Sequence, residues 1–106
     1  MSPEESNTDC IFCKIVNGEI PSELLYEDED IVVFPDINPV TPVHLLVVTR
    51  KHIPSLAEMA EEDLHLISKM AKAARQVARE QGIADNGYRV TINSGPEAGQ
   101  IIPHIH

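Results

Sequence analysis

An uninterrupted apolar run, Leu45-Leu46-Val47-Val48, constrains the fold of this chain more than any other segment. Its β-branched valines favour an extended backbone, in which successive side chains point to opposite faces of a sheet. Four consecutive apolar residues therefore need cover on both faces. We predict a strand over residues 44–49 that is buried on both sides.

Other strand-like segments flank this run. Residues 23–27 and 31–34 contain apolar, aromatic and β-branched side chains, and the acidic residues 28–30 between them suit a turn. These segments predict a hairpin. Apolar residues alternate over residues 87–93, which predicts a further strand, and the loop after it leads to a terminal strand that ends at His106.

Two helices are also predicted. Residues 10–17 suit one or two helical turns ended by Gly18, and a longer helix follows the acidic residues 61–63 and ends at Gly82. Ser55 and Glu58 have the spacing of a capping box ahead of it. Steps of three and four residues predict its core face as Leu64, Ile67, Ala71, Ala74 and Ala78, with Met70 and Val77 alongside. Antiparallel strands with a helix on one face define an α+β domain.

The length and charge of the chain exclude several kinds of protein. Its 106 residues suit one domain, and no apolar run approaches the roughly 18 residues of a membrane span. Residues 1–9 are polar and acidic, which predicts a disordered tail rather than a signal peptide, and hence a cytoplasmic protein. A net charge of −9 opposes binding to a nucleic-acid polymer. A single nucleotide remains compatible with a small pocket of histidines and backbone N–H groups.

The terminal His104-Ile105-His106 is the strongest sign of function. In an extended strand residues i and i+2 share a face, so both imidazoles would project from one side of the sheet. The alternative is a frayed terminus or a truncated affinity tag. The apolar segment before it favours a site.

Two cysteines, Cys10 and Cys13, are separated by two residues. This spacing alone suits a zinc half-site, a redox dithiol or two packed thiols. Zinc would need two more ligands, for which His52 and His104 are suitable donors. The redox alternative is weaker because no strand leads into Cys10.

Three polar residues each have a structural and a functional interpretation. Asp36 either caps the loop amides near Asn38 or accepts hydrogen bonds from sugar hydroxyls. Asn93 is either a turn residue or a ligand donor. His44 is either hydrogen-bonded within a loop or supports the terminal imidazoles from a neighbouring strand.

The order of these motifs closely resembles the histidine triad (HIT) family, and most closely its Hint-like branch of bacterial zinc-binding type. The resemblance is carried by residues 10–21, Phe34-Pro35-Asp36-Ile37-Asn38-Pro39, Pro42-Val43-His44, Lys51-His52-Ile53 and residues 99–106. It implies an HIT domain over residues 10–106 with a five-stranded antiparallel sheet, one long and one short helix, and a homodimer. It also implies a hydrolase that binds purine nucleoside monophosphates or their conjugates.

The resemblance assigns roles by position. His106 corresponds to the nucleophile that attacks the α-phosphorus of a nucleoside phosphoramidate or related substrate and forms a nucleotidyl-histidine. His104 is the first triad member, and His44 supports the triad. A structural zinc ion, without an organic cofactor, would be held by Cys10, Cys13, His52 and His104. The nucleotide-binding set is Ile11, Phe12, Ile15, Ile20, Phe34, Asp36, Ile37, Asn93, Gln100 and Ile101.

Two departures from the family pattern bear on activity. The family motif continues with a third histidine that helps the leaving group depart, and the 106 residues do not include it. We therefore expect impaired catalysis by this 106-residue chain. Ile101 stands where relatives often carry Ser or Thr, which predicts a different substrate preference. The alternatives are a non-catalytic, zinc-stabilised nucleotide-binding scaffold and a dinucleoside polyphosphate hydrolase.

Overall fold

The computed structural model describes residues 9–106 and contains two α-helices and three strands within that range. In chain order the elements are α1 (Ile11–Val16), β1 (Tyr26–Glu27), β2 (Ile31–Pro35), β3 (Leu45–Thr49), a 3-10 turn (Glu61–Asp63), α2 (His65–Glu80) and a second 3-10 turn (Pro96–Ala98). The predicted disordered tail lies outside the described residues, apart from Asp9.

The three strands form an antiparallel sheet in the order β1-β2-β3. The predicted hairpin is β1–β2, and the apolar run forms β3 as expected. The strand buried on both faces is β2, however, where Ile31, Val32 and Val33 are all 0% exposed. Leu45 and Leu46 at the start of β3 are only half-buried, because within residues 9–106 only β2 pairs with this strand.

Side chains of β2 alternate between two apolar clusters, one on each face of the sheet. Ile31 and Val33 pack with residues of α2, whereas Val32 and Phe34 pack with residues of α1. This alternation is the period of two expected for a strand. It places α2 on one face and α1, with both cysteines, on the other.

The buried face of α2 agrees in part with the predicted one. The buried residues are Leu66, Met70, Ala73, Val77 and Ala78, of which Met70, Val77 and Ala78 were predicted, and Ile67 packs against the same cluster. Leu64 and Ala71 are exposed instead. A long apolar side chain buries more surface than alanine, which favours the rotation that places Leu66 inward. Ser55 Oγ accepts a hydrogen bond from the Glu58 amide at 3.3 Å, but this bond closes a turn and α2 begins only at His65.

No helix within residues 9–106 has the length and apolar character needed to cross a membrane.

The expected five-stranded sheet is present as three paired strands within residues 9–106. Residues 87–93 are not a paired strand, because the amides of residues 88–93 form no backbone–backbone hydrogen bond with any described residue. At the terminus, the His104 amide bonds within a turn to Ile102 O, and only the Ile105 amide reaches another segment, at Ile53 O. A strand requires a ladder of such bonds. The α+β class, the antiparallel sheet and the long and short helices are confirmed.

A matched pair of isoleucines tests this packing. Ile31 is 0% exposed and Ile37 is 86% exposed. We expect Ile31→Ala to lower the free energy of unfolding by about 2–5 kcal/mol, because it leaves a cavity in the core. Ile37→Ala should change it by no more than about 0.5 kcal/mol. Urea unfolding of both variants measures the difference, and equal effects would contradict the described burial.

Candidate functional site

Four potential metal ligands converge on the α1 face of the sheet. Cys10 and Cys13 come from α1, His52 follows β3, and His104 comes from the terminal segment. One ligand atom from each of them lies within 4.8 Å of all the others. Cys10 is the N-cap of α1, and its Sγ accepts the Cys13 amide at 3.4 Å. This capping bond explains how a two-residue spacing brings both thiols to one end of a short helix.

The distances within this metal cluster (Cys10, Cys13, His52 and His104) suit a tetrahedral ion. Cys10 Sγ lies 3.3 Å from His104 Nδ1, and Cys13 Sγ lies 3.2 Å from His52 Nδ1 and 3.6 Å from His104 Nδ1. Zinc–sulfur bonds of about 2.3 Å and zinc–nitrogen bonds of about 2.0 Å place neighbouring S and N ligands of a tetrahedron roughly 3.5 Å apart. The cluster can therefore hold a metal ion with little movement, and the four residues are those expected from the sequence.

A hydrogen bond fixes the orientation of the His104 ring. Its Nε2 lies 2.7 Å from the backbone carbonyl of Thr49, and a carbonyl only accepts, so Nε2 carries the proton. In the neutral ring Nδ1 then has a lone pair, and this atom faces the two thiols. A ligating histidine whose other nitrogen donates to a carbonyl is the usual arrangement at metal sites.

Burial keeps both cluster imidazoles neutral at physiological pH. It lowers the pKa of His104 to about 4, although the hydrogen bond to Thr49 acts in the opposite direction, and nearby His52 and His106 lower it further. Burial also lowers the pKa of His52. Only an unprotonated nitrogen binds a metal ion, so both side chains are in the form that ligation requires.

His106 lies beside the cluster without belonging to it. Its Nδ1 donates to the carbonyl of His104 at 2.7 Å, so Nε2 of the neutral ring carries a lone pair. Phe12 meets this ring edge-on, with centroids 4.9 Å apart. The half-buried imidazole thus has one nitrogen held and the other available, which is the arrangement of a nucleophile or a general base.

His44 and Asp36 form a separate pair. His44 Nε2 lies 3.5 Å from Asp36 Oδ2, and His44 Nδ1 accepts the Val40 amide at 3.3 Å. Asp36 Oδ1 also accepts the Asn38 amide at 2.9 Å, which is the loop-capping role considered above. The hydrogen bonds found for His44 within the described chain involve this loop rather than His104 or His106.

The apolar residues of the predicted nucleotide-binding set fall into three groups by exposure. Phe12 and Phe34 are buried and contact each other edge-on, with centroids 5.7 Å apart. Ile11, Ile37 and Ile101 are 41%, 86% and 90% exposed. The remaining apolar members, Ile15 and Ile20, are half-buried. The three exposed isoleucines therefore present apolar surface to solvent, whereas both phenylalanines belong to the core.

Gln100 organises the loop that carries Asn93. Its Oε1 accepts the Gly95 amide at 2.8 Å, and its Nε2 donates to the carbonyls of Pro54 and Ile102 at 2.7 and 3.0 Å. Asn93 is exposed at the edge of this loop.

Thr49 is the site residue that the sequence did not reveal. It acts through its backbone carbonyl, which every residue type carries, so no sequence pattern indicates it.

Comparison with known proteins identifies the class. A family model described as "Scavenger mRNA decapping enzyme C-term binding" matches residues 9–106. Together with the relatives below, this match shows that the chain belongs to the histidine triad (HIT) family.

Individual relatives cover nearly the whole chain. Protein HitA of Neisseria gonorrhoeae is 43% identical over 97 residues, covering 92% of this chain and 90% of the relative. The purine nucleoside phosphoramidase of Escherichia coli K12 is 36% identical over 96 residues, covering 91% and 81%. A histidine triad protein from Clostridium difficile has a similar structure, with a TM-score of 0.92, 42% identity and coverage of 95% and 88%. A zinc-bound histidine triad family protein from Mycobacterium smegmatis gives a TM-score of 0.79, 35% identity and coverage of 92% and 70%.

Proposed function

We propose that this HIT protein cleaves nucleoside phosphoramidates, or related nucleotidyl substrates, at the α-phosphate through a nucleotidyl-His106 intermediate. The observation that carries the proposal is the hydrogen bond from His106 Nδ1 to the His104 carbonyl, which leaves Nε2 with a lone pair. Similarity to a purine nucleoside phosphoramidase supports the same reaction.

The reaction has two displacement steps at phosphorus. His106 Nε2 forms a bond to the α-phosphorus, the bond from phosphorus to the substrate amine breaks, and the amine departs after taking a proton from solvent. Water then adds to the same phosphorus and gives up a proton to solvent, the bond to Nε2 breaks, and the nucleoside monophosphate is released. The positive charge on the ring in the intermediate is stabilised by the His104 carbonyl, which remains hydrogen-bonded to Nδ1.

Substrate would be held on the α1 face of the sheet. The purine would contact the exposed isoleucines of the predicted set, Ile11 and Ile37, because Phe12 and Phe34 are buried. Asp36 would accept hydrogen bonds from the ribose hydroxyls. Asp36 Oδ1 already accepts the Asn38 amide, and a carboxylate oxygen has a second lone pair for a hydroxyl. Asn93 and the backbone near Ile101 would then face the phosphate.

We expect His106→Ala to abolish the covalent intermediate, because the other imidazole that contacts Phe12, that of His104, is 0% exposed and its Nδ1 faces the Cys10 thiol. Cleavage of adenosine 5′-phosphoramidate should fall by about 10³-fold or more. Intact-mass spectrometry after rapid acid quench detects the nucleotidyl adduct. His65→Ala, on the exposed side of α2, is the control and should keep the adduct. An adduct of unchanged yield in His106→Ala would exclude the proposed nucleophile.

We further propose that the ion in the metal cluster is zinc. The set of two thiols and two imidazoles is one that zinc prefers, and a zinc-bound protein is among the structural relatives. When bound, zinc supplies a structural crosslink between α1, the end of β3 and the terminal segment, which stabilises the folded chain.

Loss of one ligand should strongly weaken zinc binding. Mutation of a residue that only orients a metal ligand lowers metal affinity by about 10- to 100-fold. Because Cys13→Ser removes a ligand, we expect it to lower zinc affinity by more than about 100-fold. Competition with a chromophoric chelator gives the affinity, and elemental analysis should give one zinc per wild-type chain. His65→Gln is the control, since this exposed histidine lies outside the cluster. Equal zinc content in both variants would exclude the assigned ligands.

A homodimer is proposed from the exposed segment over residues 88–93. Tyr88 and Val90 are 45% and 62% exposed, and the backbone amides of this segment form no backbone–backbone hydrogen bond with the described residues. A segment with alternating apolar residues and unpaired backbone amides is a template for pairing with another strand. A second copy of the same chain would bury these side chains and supply the missing bonds.

A matched pair of valines tests the dimer. Val90→Lys places a charge in the proposed interface, and we expect it to raise the dimer dissociation constant by about 10-fold or more, since a buried unpaired charge is costly. Val40→Lys, at a residue 83% exposed in another loop, should have no effect. Sedimentation equilibrium of the three proteins measures the constant. A monomeric wild type, or dissociation by Val40→Lys alone, would contradict the proposal.

A further inference from the structure

Two sets of contacts connect the metal cluster to the ring of His106. The first runs through His104. Its Nδ1 lies 3.3 Å from Cys10 Sγ, and its own carbonyl accepts the Nδ1–H of His106 at 2.7 Å. One residue therefore both contributes a ligand atom and sets the tautomer of the proposed nucleophile.

The second connection is Phe12, which lies between the two cysteines on α1. It is 3% exposed and meets the rings of His104 and His106 edge-on, with centroid separations of 5.9 and 4.9 Å. Because Phe12 is adjacent to Cys13 and two residues after Cys10, a metal ion that holds both cysteines also restrains the aromatic ring that contacts His106.

Thr49 positions two of the four ligands. Its carbonyl accepts His104 Nε2–H at 2.7 Å, and its hydroxyl donates to the Lys51 carbonyl at 2.8 Å, which closes the turn leading to His52. The hydroxyl is also 3.4 Å from His104 Nε2. Thr49 is 0% exposed and pairs with Ile31 of β2, so the sheet fixes the direction of its carbonyl.

Other restraints on the terminal segment act on the opposite face. Ile105 is 1% exposed and packs in the cluster that contains α2, and its amide bonds to Ile53 O at 2.7 Å. These contacts hold the main chain but not the two imidazoles, which lie on the α1 face. The orientation of His106 thus depends on the contacts made by His104 and Phe12.

We propose that metal binding at the cluster sets the tautomer and orientation of His106, with Thr49 and Phe12 as positioning residues. The metal is then more than a stabiliser of the fold, because its loss releases the nucleophile. The significance for catalysis rests on the proposed function, whereas the structural link between metal and ring is independent of it.

The test observes the His106 ring directly. In protein labelled with ¹⁵N-histidine, two-bond ¹H–¹⁵N spectra distinguish the Nδ1–H from the Nε2–H tautomer. We expect zinc-loaded protein to show His106 in the Nδ1–H form, and chelated protein to show an average of both forms. The exposed His65 provides an internal reference, and its signals should not respond to zinc. An unchanged His106 spectrum in folded, chelated protein would overturn the proposal.

Two variants keep the test decisive if chelation unfolds the chain. Thr49→Val removes the hydroxyl, and we expect it to weaken zinc affinity by about 10- to 100-fold. Phe12→Leu should retain zinc yet give averaged His106 tautomers when loaded. Thr41→Val is a matched control, because the Thr41 hydroxyl also donates to a carbonyl two residues on, that of Val43, but in an exposed loop. Wild-type zinc affinity in Thr49→Val, or a wild-type His106 spectrum in loaded Phe12→Leu, would remove the corresponding positioning role.

The spectra are recorded without substrate. The proposed reaction and the proposed link between metal and ring can therefore be tested independently. If His106 responds to zinc but forms no nucleotidyl adduct, the proposed reaction is wrong and the link between metal and ring stands. If the adduct forms at equal rates in loaded and folded, chelated protein, His106 is the nucleophile and the link is overturned.

Discussion

The structure depends on the burial of both faces of β2. Its alternate side chains enter two separate apolar clusters, one with α2 and one with α1. The α2 cluster provides most of the core, while the α1 cluster brings a helix carrying two thiols against the ends of β3 and of the chain. Without cover from α1, Val32 and Phe34 would face water, so the helix that bears the cysteines is also required for the fold.

The site places neutral polar groups in an apolar setting without leaving them unpaired. His104 is fully buried, yet its Nε2, its carbonyl and its Nδ1 all face partners. In the described chain no buried side-chain nitrogen or oxygen lacks a hydrogen-bond partner. A buried imidazole with both nitrogens directed in this way is rigid, and this rigidity makes it suitable for orienting a neighbouring residue.

Much of the site could be predicted because its residues carry distinctive chemistry. The two cysteines, His52 and His104 are soft ligands whose type and spacing indicate a metal, and the structure brings all four together. The hairpin and β3 were predicted from β-branched runs bounded by turn residues.

The contacts made by the backbone carbonyls of Thr49 and His104 could not be predicted, because every residue type carries a backbone carbonyl. The face of α2 was predicted only in part: Met70, Val77 and Ala78 are buried as expected, but periodicity alone did not reveal that Leu66 and Ala73 are buried in place of Leu64 and Ala71. The strand over residues 87–93 was expected from alternation, but alternation does not show whether a hydrogen-bonding partner is present.

Ile105 has a consequence for insertions and deletions in the terminal segment. It separates two imidazoles that lie on the α1 face, while its own side chain fills the core beneath α2. Adding or removing one residue between Pro103 and His106 would exchange these environments, putting a polar ring into the apolar core and an isoleucine among the ligands. Residues 104–106 alternate between the two faces of the sheet. The same three residues therefore contribute to the apolar core and to the metal cluster, and a change to one of these contributions also changes the other.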